Sequence, residues 1–346
     1  MHGVLRVVVR TTWIALSAVV LVAAGVAWTT YREVDAGIRR STAIPTDAPR
    51  SSSGTTVLVM GLTTRRDLDG GTPPDDVLDA LHAGDVDRGG YNANALIVLH
   101  LPAGAGGAKA LSLPRDNNAP LLGIPGGPQR GKVKEAYGRA KAAVERTLPT
   151  TLDPAEQEWL GREAGRRAQV ETVQALLGVP IDHLAEVSMV GFHHLTEALG
   201  GIDVCLNRAT ADPHSGADFP AGPQHLTPAQ SLAFVRQRHG LPNGDLDRTR
   251  RQQAFLSALL HRLRSEGPAA LGPVAEVAKH NVVLSEGWDV LAAVQGVPGV
   301  TFTTLPLVPE DEPDAGPALR AAVTAALRPS GPSGPGAAPS PIPCVD

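Results

Sequence analysis

The chain has few aromatic residues and no excess of basic over acidic residues, and both features argue against nucleic acid as its ligand. Only 12 of the 346 residues are aromatic (Trp 4, Tyr 3, Phe 5), too few for a surface on which single-stranded nucleic acid stacks. Lys and Arg together number 31 against 35 Asp and Glu, so the net charge is −4 and nucleic acid is not the expected partner. Apolar residues make up 42%, which excludes disorder throughout and predicts a large core.

The short motifs of common hydrolases are also missing. The chain contains no C-x-x-C, H-E-x-x-H or G-x-S-x-G. The stretch 126–132 matches the G-x-x-x-x-G-K part of a nucleotide phosphate loop, but Val133 stands where Ser or Thr must reach Mg²⁺. His193, His194 and His239 lack metal-ligand spacing, so we expect core or surface roles for them. Neither zinc hydrolysis nor nucleotide binding is therefore predicted.

The longest uncharged run, residues 11–31, has the length of a membrane span. At 1.5 Å per residue it covers about 31 Å, one bilayer core. Arg6 and Arg10 precede it, so we expect a single-pass cell-membrane protein whose N-terminus is cytoplasmic and whose domain is extracellular. A signal peptide cleaved near 23–25 is the alternative. The apolar run continues to Trp28, which favours the uncleaved anchor.

Composition divides the remainder of the chain. The predicted parts are a cytoplasmic segment 1–10, a stalk 32–54, one domain 55–328, and a flexible Pro/Gly-rich tail 329–346 that carries Cys344. The two cysteines, Cys205 and Cys344, suit an exported protein with one disulfide that ties the tail to the domain. Two unpaired thiols are the alternative.

Apolar runs and helical spacing alternate along the predicted domain. The predicted strands are Thr56–Leu62, Ala95–Leu101, Ala110–Leu113, Ala185–Val190, Ile202–Leu206 and Val300–Leu305. The predicted helices are Lys132–Arg146, Ala155–Leu177, Phe192–Leu199, Thr227–Val235 with Thr227 as N-cap, Asp245–Leu263 and Ala318–Leu327. Gly200 and Gly201 read as a helix stop. This alternation predicts an α/β sheet covered by helices on both faces.

Arginine accounts for 26 of the 31 basic residues, and several of these arginines stand where ligands collect. Arg65 and Arg115 each follow a predicted strand, and ligands of open α/β sheets bind at the carboxyl ends of strands. In Arg236-Gln237-Arg238, an extended backbone would point both guanidinium groups the same way. A shared pocket is one interpretation of these segments, and solvated salt-bridge faces are the other.

A fourth arginine-bearing segment opens the helix at Asp245. On a helix Asp245, Arg248 and Gln252 share one face, and Asp245 suits the N-cap. If folding brings the four segments together, four or five arginines surround one pocket, and a pyrophosphate is the anion of matching size. Arg162 and Arg167 lie outside these segments, so we expect their removal to change function little.

In their order and spacing these motifs resemble the LytR-CpsA-Psr family of bacterial envelope proteins, in a version that looks actinobacterial. The resemblance runs from about Thr56 to Leu263. The segments that show the resemblance are SLPRD at 112–116, KVKEAYG at 132–138, the stretch 171–207, AQSLAFVRQRHG at 229–240 and DLDRTRRQQ at 245–253. The combination of R-x-R with D-x-x-R-x-x-R-Q seven residues later is specific, whereas SLPRD alone would be weak.

The resemblance implies a phosphotransferase that moves a glycopolymer from a polyprenyl-pyrophosphate carrier to peptidoglycan, next to the membrane. It implies a mixed central sheet with an apolar tunnel for the lipid. By motif position the pyrophosphate would be held by Arg65, Arg115, Lys132, Arg236, Arg238 and Arg248. Among these Arg115, Arg236 and Arg238 would be catalytic, together with Asp245. Gln252 and Asp245 would orient the arginines or the head group.

The sequence departs from the family pattern where two Asp residues bind Mg²⁺. Thr63 and Asn94 stand at those positions, and Asn92 replaces an Arg. Neutral oxygens bind Mg²⁺ less tightly than carboxylates, so metal dependence stays open. The carboxylates that could compensate are Asp67, Asp69 and Asp116. The departure keeps a second hypothesis open, a non-catalytic paralogue that binds the lipid carrier or the glycan. A transcriptional attenuator is disfavoured, because only ten residues precede the anchor.

Overall fold

The structure is a computed structural model that describes residues 36–346 except 88, 105, 128, 266–267, 290–298, 310–311, 313–314 and 329–341. The predicted anchor 11–31 and most of the predicted tail lie outside the described residues. No helix in the described ranges is both long and apolar enough to cross a bilayer.

Seven strands form a mixed central sheet. In spatial order they are β1 (Arg39–Ser41), β12 (Val282–Ser285), β7 (His183–Val187), β2 (Gly54–Leu62), β3 (Ala93–Pro102), β4 (Ala108–Ser112) and β13 (Val300–Thr304). The pairs β1–β12, β7–β2 and β4–β13 are parallel, and the other three neighbouring pairs are antiparallel. The predicted strands over 56–62, 95–101 and 110–113 form the centre of this sheet.

Eight helices and three smaller sheets complete the described fold. The helices are α1 (Asp75–Leu81), α2 (Glu135–Glu145), α3 (Pro154–Leu177), α4 (Met189–Ala198), α5 (Pro228–Arg236), α6 (Asp245–Ser265), α7 (Pro268–Asn281) and α8 (Gly316–Leu327). Two hairpins pair β5 (Asn118–Leu121) with β6 (Gln129–Lys132) and β9 (Thr210–Asp212) with β10 (Ala217–Phe219). A three-stranded sheet joins β11 (Gly222–Leu226), β8 (Ile202–Leu206) and β14 (Cys344–Val345).

Both faces of the central sheet are covered, as the sequence predicts. Side chains alternate along β2 because successive residues of a strand point to opposite faces. Leu58, Met60 and Leu62 belong to the larger core, which they share with α2, α3 and α8. Val59 and Gly61 face the other side, where they line a cavity together with side chains of α4, α5 and α6. That second face carries the candidate site.

Two helix boundaries are confirmed by their capping contacts. Thr227 is the N-cap of α5 and forms a capping box with Gln230, whose main-chain N–H donates to the Thr227 hydroxyl at 3.3 Å. Gly200 follows the end of α4 with φ of 69°, and its N–H donates to the carbonyl of Glu197 at 2.8 Å. Positive φ is the conformation that makes glycine a helix stop.

Three predicted boundaries are wrong. The strand expected over Ala185–Val190 ends at Val187, because the Ser188 hydroxyl accepts from the N–H of Gly191 at 3.1 Å and caps α4. Helix α4 therefore starts at Met189, before the expected Phe192. The helix expected from Lys132 starts at Glu135, since 129–132 is strand β6. The phosphate-loop-like stretch is thus part of the β5–β6 hairpin.

The predicted stalk over 32–54 is corrected from Arg39 onward. Strand β1 pairs in parallel with β12 and closes one edge of the central sheet. Ala43 is 1% exposed and Ile44 packs beside it in the larger core. The Ser-, Thr- and Pro-rich composition of this segment conceals the few apolar residues that it buries.

The pair expected from the sequence, Cys205 and Cys344, is joined by a disulfide. The two residues face each other in the parallel pairing of β14 with β8, and Val345 pairs with Leu206. The end of the predicted tail is therefore a strand of the domain.

A buried ion network joins α2 and α3 to the central sheet. The Glu186 carboxylate, fully buried on β7, accepts from Arg166 Nε at 2.8 Å, from Tyr137 Oη at 2.9 Å and from Arg162 Nη1 at 3.3 Å. Arg162 is therefore an unsuitable control for turnover, because its guanidinium is enclosed among charged partners and its removal would destabilise the domain. Arg167, on the same helix, is exposed and remains a suitable control.

We expect the disulfide to be a large part of the domain's stability. It closes 139 residues of sequence, for which the chain-entropy model gives up to about 5 kcal/mol and experiments typically give about 2–5 kcal/mol. The double variant C205S/C344S should have a lower urea midpoint than the oxidised parent. A reducing agent should lower the urea midpoint of the parent and leave that of the variant unchanged. Two alkylatable thiols in non-reduced protein would contradict the cross-link.

We also expect Glu186→Gln to destabilise the domain by about 3–5 kcal/mol, because it leaves buried guanidinium groups without their counter-charge. Burial raises the pKa of Glu186, but Arg166 and Arg162 outweigh it and hold that pKa below its ordinary value. A depressed folded-state pKa gives stability that is present above about pH 4.3 and is lost as the pH falls through the folded value. Urea titrations should therefore show that the difference in free energy of unfolding between parent and variant becomes smaller as the pH falls. The exposed Arg167→Ala should stay within about 0.5 kcal/mol of the parent at every pH.

Candidate functional site

The candidate site lies at one edge of the central sheet. Strands β2 and β4 run in the same direction, since both are antiparallel to β3. Their carboxyl ends lead into Arg65 and Arg115, and β3 brings Asn94 to the same edge from its opposite end. The expectation that these segments meet at the strand ends agrees with this arrangement.

The end of α5 brings two more arginines to this edge. Arg236 is the last residue of the helix, and Gln237 continues with an extended backbone of φ −54° and ψ 136°. Arg236 and Arg238 both line the cavity, whereas Gln237 between them is fully buried. The alternation predicted for an extended R-x-R segment is therefore present.

Helix α6 supplies an acidic residue that bridges two arginines. Asp245 is the first residue of the helix and not its N-cap, so its carboxylate is free to accept from side chains. It accepts from Arg248 Nη2 at 2.9 Å and from Arg115 Nη2 at 3.2 Å. Arg248 also donates to the main-chain oxygen of Asn94 at 3.4 Å. One carboxylate thus holds two guanidinium groups at fixed positions.

These groups surround one end of a cavity of about 500 Å³. The arginines on its wall are Arg65, Arg115, Arg236, Arg238 and Arg248. The apolar residues on its wall include Val59, Ile97, Met189, Phe192, Leu195, Leu199, Leu232, Val235, Phe255, Leu256 and Leu259. The cavity wall therefore combines a cluster of arginines with a larger apolar surface.

The cationic end is short of negative charge. Burial, followed by the neighbouring charge of Arg115, lowers the pKa of Arg248 to about 10. Burial also lowers the pKa of Arg115 and of Arg236, and Arg65 lowers the latter further. A pKa below the ordinary arginine range means that the charged form is incompletely stabilised. An anion in the cavity would supply what is missing.

Main-chain oxygens at the end of α1 and just after it hold two of these arginines, Arg236 and Arg65. Arg236 Nη1 donates to the carbonyl of Leu81 at 2.5 Å, and Arg65 donates to the carbonyl of Ala83. Gly89 packs against Arg65 with φ of +91°, and a Cβ there would lie 2.0 Å from Arg65 Nη1. Glycine is therefore required at this position both by its backbone and by the space it leaves.

The remaining predicted residues differ in position. Gln252 lines the cavity and donates to the carbonyl of Val235 at 3.2 Å. Lys132 does not line it, and its Nζ lies 4.0 Å from Asp116 Oδ1. Asp116 accepts from Lys134 Nζ at 2.5 Å and lies 3.6 Å from Arg115 Nε. Lys132 thus lies near the Asp116 carboxylate, which neighbours Arg115, and is not on the cavity wall.

The residues at the family's metal positions do not fit a Mg²⁺ ion. Thr63 Oγ1 donates to the carbonyl of Asn92 at 3.1 Å, and Asn94 contributes a neutral amide oxygen that is buried without a hydrogen-bond partner. Burial raises the pKa of Asp116, but the hydrogen bond from Lys134 and the charge of Arg115 hold it below its ordinary value. The negative charge of Asp116 is thus already compensated by Lys134 and Arg115. Among the described residues no group of three His, Cys, Asp or Glu could hold a metal.

Sequence reasoning missed one polar wall of the cavity, formed by Asp212, His214, Ser215 and His239. Asp212 accepts from the N–H of His214 at 2.9 Å and from Ser215 Oγ at 3.0 Å. Burial opposes the charged form, but these hydrogen bonds lower the pKa of Asp212. His239 is exposed, in agreement with the surface role expected for it, and it also lines the cavity next to Arg238. Asp212 and its neighbours lie in a hairpin that no motif marked.

Known proteins share both the sequence pattern and the fold. A model of the LytR_cpsA_psr family matches residues 28–315. The chain is 36% identical to the cell wall biosynthesis protein LcpA of Corynebacterium glutamicum, over 77% of this chain and 52% of LcpA. It is 28% identical to TagV of Bacillus subtilis, a polyisoprenyl-teichoic acid–peptidoglycan teichoic acid transferase, over 63% of this chain and 52% of TagV.

The crystal structure of Bacillus subtilis TagV has the same fold, with a TM-score of 0.55 and 23% identity over 81% of this chain and 100% of that chain. The chain spans about half the length of LcpA and TagV. The match of the family model extends over most of the chain, including the strands, the helices and the arginine segments that form the cavity. The chain belongs to the LytR-CpsA-Psr family.

Proposed function

We propose that this protein is a phosphotransferase that attaches a glycopolymer from a polyprenyl-pyrophosphate carrier to peptidoglycan. One observation supports the proposal most directly. Five arginines cluster in a cavity whose remaining wall is mainly apolar. A ligand that matches both parts is an amphiphile with a polyanionic head and a hydrocarbon chain. A polyprenyl pyrophosphate has this chemistry.

The cationic end supports a head of at least two negative charges. Asp245 compensates part of the charge on Arg115 and Arg248, and the Asp212 carboxylate compensates part of the charge on Arg236. Guanidinium forks match phosphate oxygens in a bidentate geometry, so a pyrophosphate can engage several of them at once. The low pKa of Arg248 indicates that such an anion would be bound with a gain in stability of the charged form.

The apolar part supports a lipid chain. Helices α4 and α6 contribute Phe192, Leu195, Leu256 and Leu259, and the sheet contributes Val59 and Ile97. Burying hydrocarbon against such a wall stabilises the complex by about 25 cal/mol per Å² of apolar surface. The volume of about 500 Å³ is within the range of sites that enclose small ligands, so part of a long chain would extend out of it.

The proposed reaction is the displacement of polyprenyl phosphate by a sugar hydroxyl of peptidoglycan. The hydroxyl oxygen forms a bond to the phosphorus that carries the glycan, and the bridging P–O bond breaks with its electron pair on the departing polyprenyl phosphate. The hydroxyl proton passes to that departing phosphate. Arg115, Arg236 and Arg238 would stabilise the charge that develops on the transferring and leaving oxygens. Asp245 and the Leu81 carbonyl hold Arg115 and Arg236 in place before the reaction starts, and the exposed Arg238 lies on the same cavity wall.

The proposed topology is a domain outside the cell membrane, held by residues 11–31. The disulfide between Cys205 and Cys344 supports export, because disulfides persist in oxidising compartments. The proposed substrates also lie there: the carrier in the outer leaflet and peptidoglycan beyond it.

A second candidate function is a binder of the same carrier that does not catalyse transfer. Thr63 and Asn94 favour it, since neutral side chains stand where the family has carboxylates. The two functions predict the same affinity for pyrophosphate and differ in whether polyprenyl phosphate is released. The retained arginines on the cavity wall favour the enzyme.

We expect Arg115→Ala and Arg238→Ala each to lower kcat/KM by at least about tenfold, measured as release of polyprenyl phosphate from a polyprenyl-pyrophosphoryl glycan. A charge-assisted hydrogen bond contributes about 1.5–3 kcal/mol, and about 1.4 kcal/mol corresponds to tenfold. Arg238→Lys should recover only part of the loss, because a point charge cannot reproduce the fork. Arg167→Ala should match the parent. Near-parental turnover in both alanine variants would mean that the arginines are a solvated face and that the proposed function is wrong.

We expect turnover to be the same in excess EDTA and in Mg²⁺, because the arginines, and not a metal, supply the positive charge. The variant T63D/N94D places two carboxylates at the site and should bring a response to Mg²⁺ that the parent lacks. A parent whose activity disappears in EDTA and returns with Mg²⁺ would contradict this expectation. Tight pyrophosphate binding without release under either condition would favour the non-catalytic binder.

A further inference from the structure

The segment between the two cavity arginines is held from behind. Gln237 lies between Arg236 and Arg238, is fully buried, and points away from the cavity that its neighbours line. Its amide Nε2 donates to Thr210 Oγ1 at 2.7 Å and to the carbonyl of His239 at 3.0 Å. Both contacts fix the backbone on which the two arginines stand.

Arg251 completes this support from α6. Its Nη1 donates to Gln237 Oε1 at 2.6 Å, and its guanidinium lies over the Phe234 ring, with 4.9 Å from Cζ to the ring centroid. Arg251 is 0% exposed and does not line the cavity, unlike Arg248 on the preceding turn. It therefore contacts the R-x-R segment from the side opposite to the ligand.

The second anchor of Arg251 comes from a remote part of the chain. Its Nε donates to the main-chain oxygen of Asp346 at 2.6 Å, across 95 residues of sequence. Val345 and Asp346 are themselves fixed, since the N–H of Asn207 donates to the Val345 carbonyl at 2.8 Å and Arg208 pairs with the Asp346 carboxylate at 3.1 Å. Cys344 is bonded to Cys205.

From these contacts we infer that Arg251 is a positioning residue, which couples the disulfide-tied segment Cys344–Asp346 to the placement of Arg236 and Arg238. A buried guanidinium that loses its Nε acceptor must find another partner or move. The partner within reach is Gln237, which directly holds the arginine segment. Cleavage of the disulfide would thus reach the anion site through Arg251. This inference rests on the proposed function only in assigning the cavity arginines to a pyrophosphate.

The test measures affinity for inorganic pyrophosphate by titration calorimetry on the full chain, alongside turnover. Arg251→Met should weaken pyrophosphate binding about tenfold, equivalent to about 1.4 kcal/mol. Arg251→Lys should recover part of this, because one ammonium group can reach either Gln237 Oε1 or the Asp346 oxygen but not reproduce both bonds. Arg167→Met, the same change at an exposed site of α3, should bind as the parent does.

Coupling is tested with a double-mutant cycle. C205S/C344S should weaken pyrophosphate binding in the same way as Arg251→Met, and combining the changes should weaken it no further, since both act through one contact. Reduction of the folded parent gives the same comparison without requiring a variant to fold. Glu186→Gln, which destabilises the opposite side of the sheet, should lower the thermal midpoint and leave the affinity unchanged.

The outcomes separate the two proposals. A parent that does not bind pyrophosphate would overturn both the proposed function and this inference. A parent that binds it, with Arg251→Met equal to the parent, would overturn the inference alone. Strictly additive losses from Arg251→Met and C205S/C344S would also overturn it, because the segment and the arginine would then act independently. Losses that Glu186→Gln reproduces would show a general effect of stability and have the same consequence.

Discussion

The repulsion among guanidinium groups at one end of the cavity is the constraint around which the rest of the domain is built. Five arginines line that end, and water cannot fully solvate them because most are buried. Such groups stay together only if each is tied to something rigid. Carbonyl oxygens of Leu81 and Ala83 hold Arg236 and Arg65, and Asp245 holds Arg115 together with Arg248. The fold thus keeps an arrangement of charge that would otherwise spread apart.

The direction of the pKa shift distinguishes these arginines from Arg162 and Arg166, although burial also lowers the pKa of Arg251, which does not line the cavity. Arg162 and Arg166 are also buried, but Glu158, Glu163 and Glu186 surround them, and the carboxylates outweigh burial and raise their pKa. Around Arg115, Arg236 and Arg248 burial dominates and the pKa falls. Complete pairing is typical of a network whose purpose is stability, whereas incomplete pairing beside a cavity is typical of a ligand site. Both sets are arginine-rich in sequence, so only the three-dimensional arrangement distinguishes them.

Sequence reasoning was accurate where the signal was local. The strand β2, the N-cap at Thr227 and the alternation in Arg236-Gln237-Arg238 each follow from neighbouring residues, and each is present. It failed where pairing depended on distant partners. Strand β1 has three residues and pairs with the distant β12, and the network around Arg162 includes Glu186, which is 24 positions away. Asp212 reaches the cavity through a hairpin with no motif, so nothing in its neighbourhood announced it.

Dependence on distant partners also explains how the segment Cys344–Asp346, which follows a low-complexity stretch, can affect the cavity arginines. The chain that leads to Cys344 has the composition of a flexible tail, and composition alone predicts no structural role for it. Strand β14 nevertheless pairs with β8, and the main-chain oxygen of Asp346 accepts a hydrogen bond from the buried Nε of Arg251. A guanidinium has five N–H donors in a rigid fork, so when Arg251 is fixed at Nε its remaining donors are fixed as well, including the one that Gln237 accepts. The placement of Arg236 and Arg238 on the cavity wall thus depends partly on residues that do not line the cavity.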